Sequence, residues 1–103
     1  MAIARATAPL TTPSAVYTSS GTTAITAMYL CNYSGSAVNV SVYIVPDAGT
    51  ADNTNIIYQD IAIQAGDTFV IDSERLILDN NETVQAAADA GSSVNVVTSY
   101  LAL

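Results

Sequence analysis

Apolar and polar residues alternate with a period of two along much of this chain. The clearest run is 38–45, where Val38, Val40, Val42 and Ile44 fall on one side and Asn39, Ser41, Tyr43 and Val45 on the other. Such spacing predicts a half-buried strand. Pro46, which has no N–H to offer a ladder, closes it. Residues 22–33, rich in Thr, Ile and Tyr, predict a longer strand that Ser34-Gly35-Ser36 turns. Further strands are predicted at 15–18, 56–64, 68–72, 75–78, 83–89 and 94–103. In 56–64, Ile57, Ile61 and Ile63 are expected to face the core, and Ile56 and Tyr58 to face outward. Turn-forming residues separate these segments: the polar loop 46–55, Ala65-Gly66-Asp67, Asp79-Asn80-Asn81-Glu82 and Gly91-Ser92-Ser93. The stretch 84–90, with three consecutive alanines, is the one helix candidate. Seven residues without a clear cap make a poor helix, so it reads as a strand.

Strands separated by turns about every 8–12 residues predict an all-β fold, a single antiparallel β-sandwich of about eight strands, jelly-roll or immunoglobulin-like, over residues 14–103. Residues 1–13 predict an extended N-terminal arm with no core of its own, because Pro9 and Pro13 bias their predecessors toward extended backbone. Such an arm is expected to dock on a neighbouring subunit through Thr7, Pro9, Leu10 and Pro13.

Composition changes the picture at the surface. The chain has 103 residues and is 50% hydrophobic, yet only 11% of it is charged, against about 25% in ordinary soluble domains. A compact chain of this mass exposes about 5,500 Å², which leaves about one charged side chain per 500 Å², where about 200 Å² is typical. A surface so poor in charge favours contact with partner subunits. Tyr43, Val45, Ile56 and Tyr58 are the candidate contact residues on the sandwich itself.

The same composition excludes much chemistry. Without His the usual general base near neutral pH is missing, and without Lys there is no Schiff-base nucleophile. The serines have no activating base, and Asp60, Asp67, Asp72, Asp79 and Glu82 sit beside turn residues, so no catalytic residues are expected. Asp72 and Glu74 are placed to pair with Arg75 at the surface. Calcium is the one metal with oxygen ligands to offer, in Asp79–Glu82 and around Asp47 and Asp52, but turn chemistry accounts for both stretches and no metal or cofactor is expected. Cys31 is the single cysteine, so it forms no intrachain disulfide and reads as a small buried hydrophobe. A net charge of −7 argues against nucleic acid and against an anionic membrane surface. No apolar run approaches the roughly 18 residues of a membrane span. The N-terminal residues lack the apolar stretch of a secretory signal.

One ordered series of segments is more specific than any of these. It runs Tyr29-Leu30-Cys31-Asn32-Tyr33-Ser34-Gly35-Ser36-Ala37-Val38-Asn39-Val40, then Tyr43-Ile44-Val45-Pro46-Asp47. It continues with Ile61-Ala62-Ile63-Gln64-Ala65-Gly66-Asp67-Thr68-Phe69-Val70 and Leu76-Ile77-Leu78-Asp79-Asn80-Asn81-Glu82-Thr83-Val84. This order resembles small β-sandwich virion proteins of tailed bacteriophages, including those of cyanobacterial phages, over residues 22–103. The resemblance implies a non-enzymatic structural role. It is that of a head decoration (cement) protein on the major capsid protein, or else of a neck, tail or fibre-attachment component. The implied partners are copies of the chain itself and another virion protein, and the implied location is the virion, assembled in the host cytoplasm. A small carbohydrate-binding module is the alternative of another class; it would gather the tyrosines Tyr17, Tyr29, Tyr33, Tyr43, Tyr58 and Tyr100 on one exposed face.

Overall fold

The computed structural model describes residues 2–8, 13–72, 76–89 and 94–103. Nine strands run in chain order: β1 (Ala2–Ala8), β2 (Ser14–Thr18), β3 (Thr23–Asn32), β4 (Val38–Val45), β5 (Ile56–Ile63), β6 (Thr68–Ile71), β7 (Leu76–Leu78), β8 (Thr83–Ala88) and β9 (Val94–Ala102). They form two antiparallel sheets, as the alternation predicts. One has the order β1-β9-β3-β6 with β7 also on β3, and the other the order β2-β8-β4-β5. Early and late strands thus interleave in both sheets, which is the double Greek-key order of a jelly roll. β6 and β7 pair with opposite ends of β3 and together act as one broken edge strand.

The segment expected to be a free arm is part of this fold. Ala2–Ala8 pairs residue for residue with β9, from Ala2 opposite Tyr100 to Ala8 opposite Val94. The alternating small and polar residues of this segment suit a strand, and a strand beside β9 satisfies backbone groups that an undocked arm would leave to water. β1 and β2 belong to different sheets and lie side by side at one seam of the sandwich. At the opposite seam, the rings of Tyr58 on β5 and Phe69 on β6 meet edge-on, 6.3 Å apart.

The core lies between the sheets. Ile25, Met28, Leu30, Val94, Val96, Ile71 and Leu78 come from one, and Val16, Val38, Val40, Val42, Ile63, Val84, Ala86 and Ala88 from the other. Three alanine and valine positions of β8 alternate buried with half-buried neighbours, which confirms a strand where the alanines hinted at a helix. One polar side chain ties the layers together. Asn32, fully buried at the end of β3, donates from Nδ2 to the carbonyl oxygens of Ile63 (2.9 Å) and Ser36 (2.8 Å). Its Oδ1 accepts from the Ser34 N–H (3.0 Å) and hydroxyl (2.7 Å). The turn that follows β5 closes on the same residue: the Gly66 N–H donates to the Asn32 carbonyl and the Asp67 carbonyl accepts from the Asn32 N–H. Gly66 takes φ +79° there, the third position of a type II turn, where glycine is favoured.

β5 departs from simple alternation. Its register with β4 slips twice, so that β5 carries an extra residue between Tyr58 and Ile61 and another between Ile56 and Tyr58. Asp60 occupies the first bulge at φ 51°, a conformation that Asp tolerates better than most side chains, and its N–H donates to the Ser41 hydroxyl (3.0 Å). The bulges invert part of the expected facing: Ile57 is exposed, whereas Tyr58 turns inward and packs on the core.

Candidate functional site

Exposed apolar side chains gather on the outer face of β9, β3, β6 and β7; β1 flanks it, with Arg5 at the register position opposite Val97. Inner positions on β3 are Ile25, Met28 and Leu30, so alternation places Ala24, Ala27, Tyr29 and Cys31 outside, with the bulge at Thr26 absorbing the change of phase. Cross-strand pairing fills out the face in rows. Val70, Tyr29 and Val97 form one; Thr68, Cys31 and Asn95 form the next; Ile77, Ala24 and Leu101 form a third toward the other end of β3. Tyr29, Val70 and Leu101 are each 42% exposed and Ile77 is 56% exposed, values that make them a surface and not a margin of the core. Thr26 is anchored within the face by hydrogen bonds from its hydroxyl to the Ser99 carbonyl and hydroxyl.

No outward position on β3, β6, β7 or β9 carries a charge. The described carboxylates lie elsewhere. Asp47 and Asp52 are in the 46–55 loop, Asp67 and Asp79 are in turns with Glu82 after Asp79, and Asp72 stands one residue past β6 at the rim. These turns use their own oxygens: the Asp79 N–H donates to Glu82 Oε1 (2.7 Å), and Asp52 Oδ1 accepts from the Thr54 N–H (2.8 Å) and hydroxyl. The Thr54 hydroxyl, then its N–H, hold the Asp52 carboxyl below its ordinary value. Among the described residues no group of three or more His, Cys, Asp or Glu side chains could hold a metal ion.

The other sheet is polar by comparison. A shallow groove of about 210 Å³ on its outer side is lined by Asn39, Ser41, Tyr43, Asp60, Ala87, Ala88 and Asp89. Asp89 is committed to the ladder there: its Oδ1 accepts from the Asn39 N–H, and its own N–H donates to the Asn39 carbonyl, both at 3.0 Å. The groove offers acceptors for a ligand's hydroxyls or ammonium group, but no activated nucleophile.

The contact residues singled out from sequence divide between these places. Tyr43 and Ile56 are cross-strand partners, both half-buried, on the outer side of the polar sheet. Val45 shares that side by register, opposite Thr83, but is only 1% exposed, so it offers no contact surface. Tyr58 is turned to the core by the bulges. Thr7 lies in β1 opposite Asn95, in the same row as Cys31. Pro13 is half-buried between β1 and β2, while Pro9 and Leu10, like Glu74 and Arg75 of the expected ion pair, lie outside the described residues. Cys31 is half-buried on the outer face and not in the core: it alternates with the inward Met28, Leu30 and Asn32, and the Thr26 bulge puts it out of phase with the inward Ile25. The tyrosines are dispersed: Tyr17 and Tyr100 are ring partners 4.5 Å apart, Tyr58 meets Phe69, Tyr29 stands on the outer face of β3 and Tyr43 on the other sheet.

The sequence carries a second kind of apolar pattern besides alternation. Strands buried on both sides read as continuous apolar runs. Met28-Tyr29-Leu30-Cys31, Phe69-Val70-Ile71 and Leu76-Ile77-Leu78 are such runs in this sheet, and Tyr43-Ile44-Val45 and Ile56-Ile57-Tyr58 are such runs in the other. β4 and β8, which alternate with Asn39, Ser41, Thr83 and Gln85, belong to the other.

Comparison with protein-family models, with curated proteins and with solved structures finds no match to this chain.

Proposed function

We propose that this chain is a non-enzymatic structural subunit of a phage virion, a decoration protein that sits on the shell of the major capsid protein together with copies of itself. The observation that carries this reading is the outer face of β3, β6, β7 and β9, where Tyr29, Val70, Ile77 and Leu101 are exposed on the side turned away from the chain's own core. A protein that exposes such a face, and carries so few charges to keep it apart from others, is suited to permanent contact. The jelly-roll order supports the reading as a fold-level analogy, because the architecture recurs in viral capsid domains. Lectins share that architecture too, but the dispersed tyrosines give a glycan no stacking platform among the described residues.

The test is sedimentation of the purified chain with capsid shells assembled without it. Saturable co-sedimentation, in a ratio set by the shell lattice, is the expected result. A chain that stays in the supernatant at every concentration, or that binds isolated tails and not shells, overturns the decoration reading; the second outcome makes it a neck or tail component.

A further inference from the structure

We infer that β1 is exchanged between copies of this chain: the β1 of one copy lies on the β9 of a twofold-related neighbour, in the register it takes within a single chain. The inference rests on the assembly reading and deepens it by naming how two copies join. The occupant is fixed by what already fits the β9 edge.

That edge takes an antiparallel strand in a defined register, from Ala2 opposite Tyr100 to Ala8 opposite Val94. A neighbour's β1 has the same sequence and makes the same pairs, so exchange keeps them all. The two forms differ in the link between β1 and β2, residues 9–13.

A closed chain needs that link to reverse direction. Asn32 at the end of β3 holds the carbonyl of Ile63 at the end of β5, which marks one end of the sandwich. Ala8 arrives at this end, because its partner Val94 also pairs with Asn32. Ser14 departs from it: its partner Ala86 is near the end of β8, which pairs with the start of β4, where Val38 faces Ile63. β1 therefore runs toward this end and β2 away from it.

The link is poorly made for a reversal. It reads Pro9-Leu10-Thr11-Thr12-Pro13. Pro9 can open a turn, but Pro13 biases Thr12 toward extended backbone, and the β-branched pair Thr11-Thr12 favours strand geometry. No Gly, Asn, Asp or Ser is present to supply turn conformations. Every other link between consecutive strands has at least one of them, from Gly21 after β2 to Gly91 before β9. Local preference and closed fold thus disagree here, and exchange removes the disagreement by letting the link run straight. Extended, it spans about 20 Å, enough to reach a neighbour set against the β1–β2 seam. In dilute solution the chain's own β1 has the higher effective concentration and the closed form holds; copies crowded side by side lose that advantage. Asp89 follows β8 at the same end, so repulsion between copies opposes exchange at low salt and screening favours it.

The test mixes two full chains, both carrying Cys31→Ser, one with Arg5→Cys and the other with Val97→Cys, positions that face each other across β1 and β9. Neither chain can form this disulfide within itself. The mixture is held at millimolar concentration in about 0.5 M salt and oxidised, and the linked peptides are identified by mass spectrometry. The expected result is a disulfide joining the two different chains, at least about fivefold in excess of either like-with-like dimer and lost on dilution to micromolar concentration. A chain carrying both substitutions is expected to close within itself at micromolar concentration. Leu10→Asn with Thr11→Gly, which supplies a turn, is expected to cut the yield between chains about tenfold, since both links of the pair lose their preference. No excess of the mixed dimer, an excess that the turn-forming substitutions leave unchanged, or a doubly substituted chain that fails to close overturns the inference. A chain that never exchanges yet co-sediments with shells overturns the exchange and leaves the shell-binding role standing.

Discussion

Asn32 is where a single substitution should do most damage. Its amide joins the end of β3 in one sheet to the last residue of β5 in the other, and it fixes the 33–36 turn between β3 and β4. Asn32→Leu keeps the branched outline, with bulkier methyl groups in place of the amide, and removes all four side-chain hydrogen bonds. The Ile63 carbonyl then loses its amide partner in a buried setting, which costs about 1–3 kcal/mol, and the partly buried contacts to Ser34 and Ser36 add about 1 kcal/mol per serine. The sum, about 3–5 kcal/mol, is a large share of the roughly 5–15 kcal/mol that holds a domain of this size. At about 4–8 °C per kcal/mol, the melting temperature should fall by at least about 12 °C. Urea unfolding followed by far-UV circular dichroism, at one fixed protein concentration, measures the loss. A change below about 1 kcal/mol would refute the claim that this residue couples the two sheets. Asn32→Asp sharpens the test. It keeps the acceptor for Ser34 but aims a second oxygen at the Ser36 and Ile63 carbonyls, so its folded-state pKa should lie above the ordinary Asp value of about 3.9. The sign follows: stability should be fullest below that value and fall as pH rises through the raised pKa, the reverse of a carboxylate that accepts hydrogen bonds from donors.

Other expected outcomes test separate parts of the structure. The Thr98 hydroxyl is buried without a hydrogen-bond partner among the described residues, so Thr98→Val should raise stability by about 1 kcal/mol in the same urea assay. Removing residues 1–8 strips β1 and bares the β9 edge, and should lower the melting temperature by about 10 °C or more, the effect of roughly 2 kcal/mol; an unchanged midpoint would restore the picture of a dispensable arm. Asp60→Gly should fold with stability within about 0.5 kcal/mol of the parent, whereas Asp60→Val, forced into a left-handed conformation, should lose about 1–2 kcal/mol. Asp52 should titrate below the ordinary carboxylate range by NMR. Thr54→Ala should return it there, since the pair's small contribution is present above the unfolded-state pKa and fades as pH falls through the lowered one.

Period-two patterning carried most of the fold because both sheets are antiparallel and share one core. β4, β8 and the ends of β3 fall where the alternation places them. It failed where backbone geometry changes phase. The bulges at Asp60 and Thr26 shift Tyr58 inward and Cys31 outward, and nothing in the residue order announces an unpaired residue within a strand. β1 was obscured for another reason: small residues and threonine give weak strand signals, and its stabilisation comes from pairing with the distant β9. Outward positions of alternating strands point to Tyr43 and Ile56, which the structure leaves half-buried. A second signal lies in the short runs Phe69-Val70-Ile71 and Leu76-Ile77-Leu78, whose outward Val70 and Ile77 stay exposed among the described residues.

If the chain is an assembly subunit, the side bearing Tyr29, Val70, Ile77 and Leu101 is covered in the particle. A density map of the intact virion, with this fold placed in it, tests that most directly. The account expects the chain on the shell, with Tyr29, Val70, Ile77 and Leu101 within van der Waals contact of a neighbouring subunit. A chain on the particle with those four side chains facing solvent would contradict it.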